Sequence, residues 1–299
     1  MNSGAALEEF SIEIGGMAAL VRTSSLEFAG LLKRRYGSFA IPPVAEPMVL
    51  LDIDLSPPAP ISEEERLRDL SVRLESGHWI MERGDFKAEW DPECRRGRVR
   101  QALNPYGIDA VLRIMHTLIL ARENGFLLHS ASAVRNGRAF LFTGVSGAGK
   151  TTITRLAPPD VTLLTDEISY VKRSALPSSP SAIEAEPETE NAEHATKNVF
   201  YEAFGTPFSG ELGVPGENVR APLGALFLLA QAPASCQENK IERISKGEAV
   251  RGLLRNILFF AQDPKLVRMV FQSVADFVSR VPVFRLHFTP DARVWELIA

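Results

Sequence analysis

Residues 144–151 read Gly144-Val145-Ser146-Gly147-Ala148-Gly149-Lys150-Thr151, a complete G-x-x-x-x-G-K-[ST] pattern, and Thr152 follows it. Glycines in such a loop let backbone N–H groups turn inward around phosphate oxygens, and the start of the following helix adds partial positive charge. Lys150 is then expected to reach the β- and γ-phosphates of a nucleotide such as ATP, and the Thr151 hydroxyl to bind Mg²⁺. Moving a phosphoryl group also needs carboxylates, one for the metal and often one to take a proton from the acceptor. Asp166-Glu167, sixteen residues beyond Lys150, ends a short β-branched and apolar run and is the best candidate pair. Its position is where a parallel neighbour of the loop strand would end. A second Gly-rich stretch, from Gly205 to Gly213, carries Glu211 as a further metal ligand. Arg220 follows it and could offset charge that develops in the transition state. His129 closes Phe126-Leu127-Leu128, fifteen residues before Gly144. A lone His among apolar residues is more often a core residue than part of a site. The other histidines read as structural, and Arg251 with Arg255 as a solvated helix face.

These residues need elements to hold them. The apolar run Ala139–Thr143 predicts a strand entering the loop, and Thr151–Leu156 a helix leaving it. Asn136-Gly137 between Phe126–Ala133 and Arg138–Thr143 is a strong short hairpin signal. Apolar residues at 108, 111, 112, 114, 115, 118 and 119 predict a helix with a wide buried face before that hairpin. Val161–Leu164, Ile168–Val171, Leu223–Leu229 and Val283–Phe288 read as strands. Ala249–Phe260 and Lys265–Val278 read as helices, the second behind an Asp263-Pro264 start, and Asp291–Ile298 as a short terminal helix. Further upstream, alternation predicts strands at Phe10–Ile14, Met17–Val21 and Met48–Ile53, and a helix over Leu26–Tyr36 that ends in cations. Three short strands follow a Pro-rich break at 56–60: Ser71–Leu74, Trp79–Arg83 and Phe86–Trp90. Residues 174–198 are acidic, Pro/Ser-rich and nearly free of aromatics, which predicts a flexible insertion.

The chain has 299 residues, 45% of them hydrophobic, and a formal net charge of −4. Length allows two domains or one large one. The charge gives no electrostatic case for nucleic acid. Cys94 and Cys236 are far apart and form no metal-binding spacing, so a reduced, cytoplasmic setting is expected. Residues 1–10 show no signal-peptide pattern, and no apolar run is long enough to span a membrane.

The stretch from Leu128-His129 through Arg135-Asn136-Gly137 and Phe140-Leu141-Phe142 to Gly144 and Lys150-Thr151-Thr152 resembles the catalytic domain of HPr kinase/phosphorylase. In that family a His precedes the loop at the same separation, and the loop has the G-x-S-G-x-G-K-[ST] form seen here. A strand ending in Ala-Asp-Asp then follows, matched here by Thr165-Asp166-Glu167. The Asn218-Val219-Arg220 stretch is loosely similar to a late Ala-Val-Arg element of the family. The specific part covers about residues 126–171, with weaker similarity to about 230; the first 110 residues do not resemble the family's sensor domain. The resemblance implies an α/β fold, with a P-loop kinase domain of the HPr kinase/phosphoenolpyruvate carboxykinase type over 108–299 behind a small α+β region over 1–107. It implies ATP and Mg²⁺ as cofactors, Asp166 as acid/base, His129 as a site residue, and Thr151 and Glu167, with Glu211, around the metal. The expected activity is phosphorylation of a hydroxyl, with Ser of a peptide or small protein as acceptor. A small metabolite as acceptor, or nucleotide-dependent regulation without transfer, are the alternatives. The acceptor and the oligomeric state are left open.

Overall fold

Alternating apolar and polar positions build a first sheet from residues 8 to 101. In the computed structural model, which describes residues 7–56, 70–175, 199–231 and 238–298, its strands are β1 (Glu8–Ile14), β2 (Met17–Thr23), β3 (Ala40–Ile41), β4 (Val49–Leu55), β5 (Ser71–Glu75), β6 (His78–Arg83), β7 (Phe86–Asp91) and β8 (Arg96–Gln101). The order is β3-β1-β2-β4-β8-β7-β6-β5. Helix α1 (Leu26–Tyr36) starts at Ser25, whose hydroxyl accepts from the Phe28 N–H, and buries Phe28, Leu32 and Tyr36. The residues from 57 to 69, the acidic stretch 176–198 and Cys236 lie outside the described residues.

A long helix, α2 (Tyr106–Arg122), is buried nearly all round and packs against β8 and the second sheet. One apolar core runs from Phe10 and Trp79 through Leu112 to Leu128 and Phe277. Asp109, Arg113 and His116 interrupt the apolar run of this helix, and the first two reappear at the functional site. His116 is buried edge-on against Tyr170, and its Nδ1 has no partner. Burial, with a smaller contribution from Lys172, lowers its pKa to about 4. Folded His116 therefore takes up its proton later than the unfolded chain does. The stability linked to it is fully present above the unfolded pKa of 6.5 and is lost as pH falls toward 4. The expected loss over that window is about 3 kcal/mol. Urea unfolding at pH 7.5 and pH 4.5 measures it; His116→Leu should flatten this part of the pH dependence.

The second sheet contains β9 (Gly125–Arg135), β10 (Arg138–Thr143), β11 (Thr162–Thr165), β12 (Ile168–Ala175), β13 (Val199–Phe204), β14 (Arg220–Gln231), β15 (Lys240–Arg243), β16 (Ile257–Leu258) and β17 (Val283–Phe288). The β9–β10 turn has Asn136 at φ 51° and Gly137 at φ 73°, the left-handed pair that a two-residue hairpin needs. Pairings run β10–β9–β12–β13–β14 and return to β10, so these five strands close on themselves. β10, β14 and β17 are parallel. Helices α3 (Lys150–Arg155), α4 (Lys246–Leu254) and α5 (Pro264–Arg280) complete a mixed α/β protein with two large mixed sheets and few helices. Among the described residues, no helix is long and apolar enough to cross a membrane.

Four expectations change. The strand before Asp166 is not the hydrogen-bonded neighbour of the loop strand. β11 pairs antiparallel with β9, and the parallel neighbour of β10 is β14. The helix expected over Ala249–Phe260 stops at Leu254, because Ile257-Leu258 leaves it to pair with Leu127-Leu128 of β9, with His129 N–H donating to the Asn256 carbonyl at 2.7 Å. The terminal helix is a short 3-10 turn, Ala292–Glu296. β8, β13 and β15 have no counterpart in the sequence reading. β8 carries Arg96, Arg98 and Arg100 on its exposed face, so its alternation has little apolar signal.

Candidate functional site

The loop 144–151 leaves the carboxyl end of β10, where β14 and β17 also end. Binding crevices in α/β sheets form at such strand ends. Gln231, last residue of β14, donates to the Gly147 carbonyl at 3.1 Å. Phe288, last residue of β17, lies under Gly149, which has φ 105° and would set a Cβ 2.7 Å from that ring. Only glycine fits there. Lys150 is buried and curls back to donate to the Gly144 carbonyl at 3.0 Å and the Val145 carbonyl at 3.4 Å. Burial lowers its pKa, and Glu211 pulls it back up.

A cavity of about 310 Å³ opens over this loop, lined by Ser146, Gly147, Gly149, Lys150, Thr151 and Thr152 of the loop and helix start together with His129, Asp166, Glu167, Gly210 and Glu211. The structure thus brings together residues from four separate segments. Of the expected loop set, Gly144 holds the lysine through its carbonyl, Val145 is exposed and Ala148 faces an adjoining cavity of about 290 Å³ with Phe288, Thr289 and Pro290. His129 is half-buried beside the lysine; burial, then the Lys150 charge, lowers its pKa.

The two carboxylates differ. Asp166 is buried, and its Oδ1 accepts from Gly210 N–H at 2.8 Å while Oδ2 accepts from Leu212 N–H at 2.9 Å. Those two amides flank Glu211, so Asp166 fixes the backbone that presents Glu211 to the cavity. A Cβ on Gly210 would lie 3.1 Å from the Asp166 carboxylate and 3.1 Å from the Glu167 Cβ, a tight fit. Glu167 is partly exposed. The Ser130 N–H holds its carbonyl at 3.0 Å, and its side chain receives Arg113 Nη2 at 3.4 Å. Burial raises the Glu167 pKa, opposed by Arg113 and reinforced by the like charge of Asp166.

Asp166→Asn should loosen the 205–213 loop. Asn keeps one acceptor oxygen but turns an NH₂ toward one of the two backbone donors, at a cost of roughly 1–3 kcal/mol. A lower melting temperature and faster proteolysis within 205–213 are expected; unchanged values would remove the positioning role.

Arg220 does not join the site. It opens β14 with an exposed side chain, 3.9 Å from Glu202 and over the Phe204 ring, and does not line the cavity. The β13–β14 pairing holds it there. The sequence reading also passed over Arg113, Asp109 and Arg35. Arg35 donates to Asp109 at 2.8 Å and to the Ser209 hydroxyl at 2.9 Å, and Tyr36 donates to Asp109 at 2.6 Å, so α1 is tied to α2 and to the loop of Glu211. The available signal was the Asp109/Arg113 pair, one turn apart on a largely apolar helix.

Among the described residues, no group of three or more His, Cys, Asp or Glu stands ready to hold a metal unaided. Nucleotide-bound Mg²⁺ does not need one, since it takes one or two protein ligands and completes its shell with phosphate oxygens and water. Thr151 and Glu211, lining one cavity with Lys150, fit that pattern. No protein-family model matches this chain, and a search of curated proteins gives no significant match either.

Proposed function

We propose that this protein transfers the γ-phosphoryl group of ATP, bound with Mg²⁺, to a hydroxyl, within a P-loop domain of the HPr kinase/phosphoenolpyruvate carboxykinase type. One observation carries the reading: Lys150 and Thr151 share a single cavity with His129, Asp166, Glu167 and Glu211. A bare phosphate-binding turn would need none of those carboxylates. Lys150 exchanges its loop carbonyls for phosphate oxygens, and the loop amides hold the same phosphates. Thr151 and Glu211 would hold Mg²⁺, which would supply charge neutralisation for the transferring phosphoryl group. The nucleoside lies toward the cavity floored by Phe288.

The geometry favours Glu167 over Asp166 as the group that takes the acceptor proton. Asp166 has both oxygens engaged by backbone amides, whereas Glu167 lines this cavity and also the neighbouring one beside α2. A base must stand between acceptor and γ-phosphate. In the step, the acceptor O–H gives its proton to Glu167 and its oxygen bonds to the γ-phosphorus. The bond from that phosphorus to the β–γ bridging oxygen breaks, and ADP leaves. Neutral His129 lies beside Lys150 without adding charge. The exposed free thiol of Cys94 fits a reducing, cytoplasmic setting.

Transfer of label from γ-labelled ATP, with and without Mg²⁺, tests the proposal. Slow hydrolysis without acceptor and Mg²⁺-dependent transfer with one are expected. Absence of ATP binding would overturn it, and rapid acceptor-free hydrolysis would point to an ATPase.

A further inference from the structure

Glu167 forms part of a second cavity, of about 600 Å³, lined also by Arg35, Arg83, Asp85, Tyr106, Asp109, Arg113, Ser209 and Phe260. Ser209 and Glu167 join it to the phosphate cavity, since Gly210 and Glu167 line that one. The volume is in the range of small-molecule sites. Its walls come from α1, β6, α2, the turn after β11 and the loop of Glu211, so both sheets contribute.

The charges in this cavity are unequally satisfied. Asp109 is used up, accepting from Tyr36 on one oxygen and from Arg35 Nε and Nη2 on the other. Asp85 receives Arg83 Nε at 2.6 Å and Nη2 at 2.7 Å. Arg113 is different. Its one ion pair among the described residues is the 3.4 Å contact with Glu167, and its Nε is buried without a partner. Its guanidinium carbon lies over the Phe208 ring, 4.8 Å from the ring centroid. A planar guanidinium with spare donors, placed over an aromatic ring, is suited to a carboxylate or phosphate.

We propose that this second cavity is the acceptor site, and that it takes a small hydroxyl compound bearing an anionic group, held by Arg113 while its hydroxyl faces Glu167 and the γ-phosphate. This rests on the phosphotransferase reading and narrows it. The anion completes the donors that Glu167 leaves free. A neutral polyol or an uncharged Ser side chain would leave Arg113 under-satisfied in a partly desolvated site.

The test uses the whole chain saturated with a non-hydrolysable ATP analogue and Mg²⁺, so that the phosphate loop is already filled. Glycerol 3-phosphate, glycerate and glycerol are then titrated by calorimetry. At least one of the two anions should bind roughly tenfold or more tightly than glycerol, and comparing them separates phosphate from carboxylate recognition. Arg113→Met should bring the anions to the level of glycerol without changing analogue affinity, and Arg113→Lys should recover part of the difference. Equal binding of glycerol, no anion binding at all, or anion binding that survives Arg113→Met would overturn the proposal while leaving the kinase reading in place. Failure of the analogue itself to bind would instead overturn that reading. The wild-type comparison decides even where a variant does not fold.

Discussion

Glu167→Gln is expected to lower phosphoryl transfer by roughly 10²-fold or more, the usual size of a general-base contribution, while leaving nucleotide affinity unchanged. The substitution keeps the side chain's shape and removes its negative charge and its ability to accept a proton. Arg113 can still contact the amide oxygen, so the wall between the two cavities should stay in place. Transfer measured at saturating ATP in a single turnover isolates the chemical step from binding. The pH profile adds an independent sign. Burial raises the Glu167 pKa and Arg113 holds it down, so transfer should rise with pH through a midpoint above the ordinary glutamate range. Removing the Arg113 charge should move that midpoint higher still. Glu167→Gln should abolish this limb of the profile. A variant with full rate would return the base role to Asp166, whose replacement by Asn would then cost more rate than the loosened loop accounts for.

The phosphate-loop side of this candidate site was legible in sequence because it is local. The strand, eight-residue loop and helix start are contiguous, and the Asn136-Gly137 turn specifies its hairpin from two residues. The side facing α2 was not legible for the opposite reason. Arg113 meets Glu167 across 54 positions and Arg35 meets Ser209 across 174, and no periodicity signals a pairing of that kind. The helical pattern of α2 was readable from its apolar face, but that pattern treats Arg113 as filler. The sheet around the site was only partly readable. β9 serves β10, β11, β12 and β16 at once, so which strand lies beside the loop strand depends on competition for one long partner. Arg220 shows the same limit. Its place in the chain, shortly after a Gly-rich loop, suggested the site, yet the β13–β14 register sets it beside Glu202 and Phe204.

Lys150→Ala should weaken ATP·Mg²⁺ binding by roughly 10- to 100-fold, the equivalent of one charge-assisted contact of about 1.5–3 kcal/mol. The same change should cost little stability. The ammonium only bridges Gly144 and Val145 carbonyls of its own loop. The lysine is also a buried cation, with its pKa lowered by burial, so deleting it relieves a desolvation cost that offsets the lost hydrogen bonds. Glu211 sharpens the expectation. It is the acid whose charge acts on Lys150, and without the lysine it faces incoming phosphates with no cation but the metal. Binding of Lys150→Ala should therefore depend more steeply on Mg²⁺ concentration than binding of the parent protein. Equilibrium binding of a fluorescent ATP analogue across a Mg²⁺ series, alongside melting curves, measures both effects. Parent-like affinity in a folded variant would mean that phosphates do not reach the loop, and the assignment of the whole cavity would fall with it.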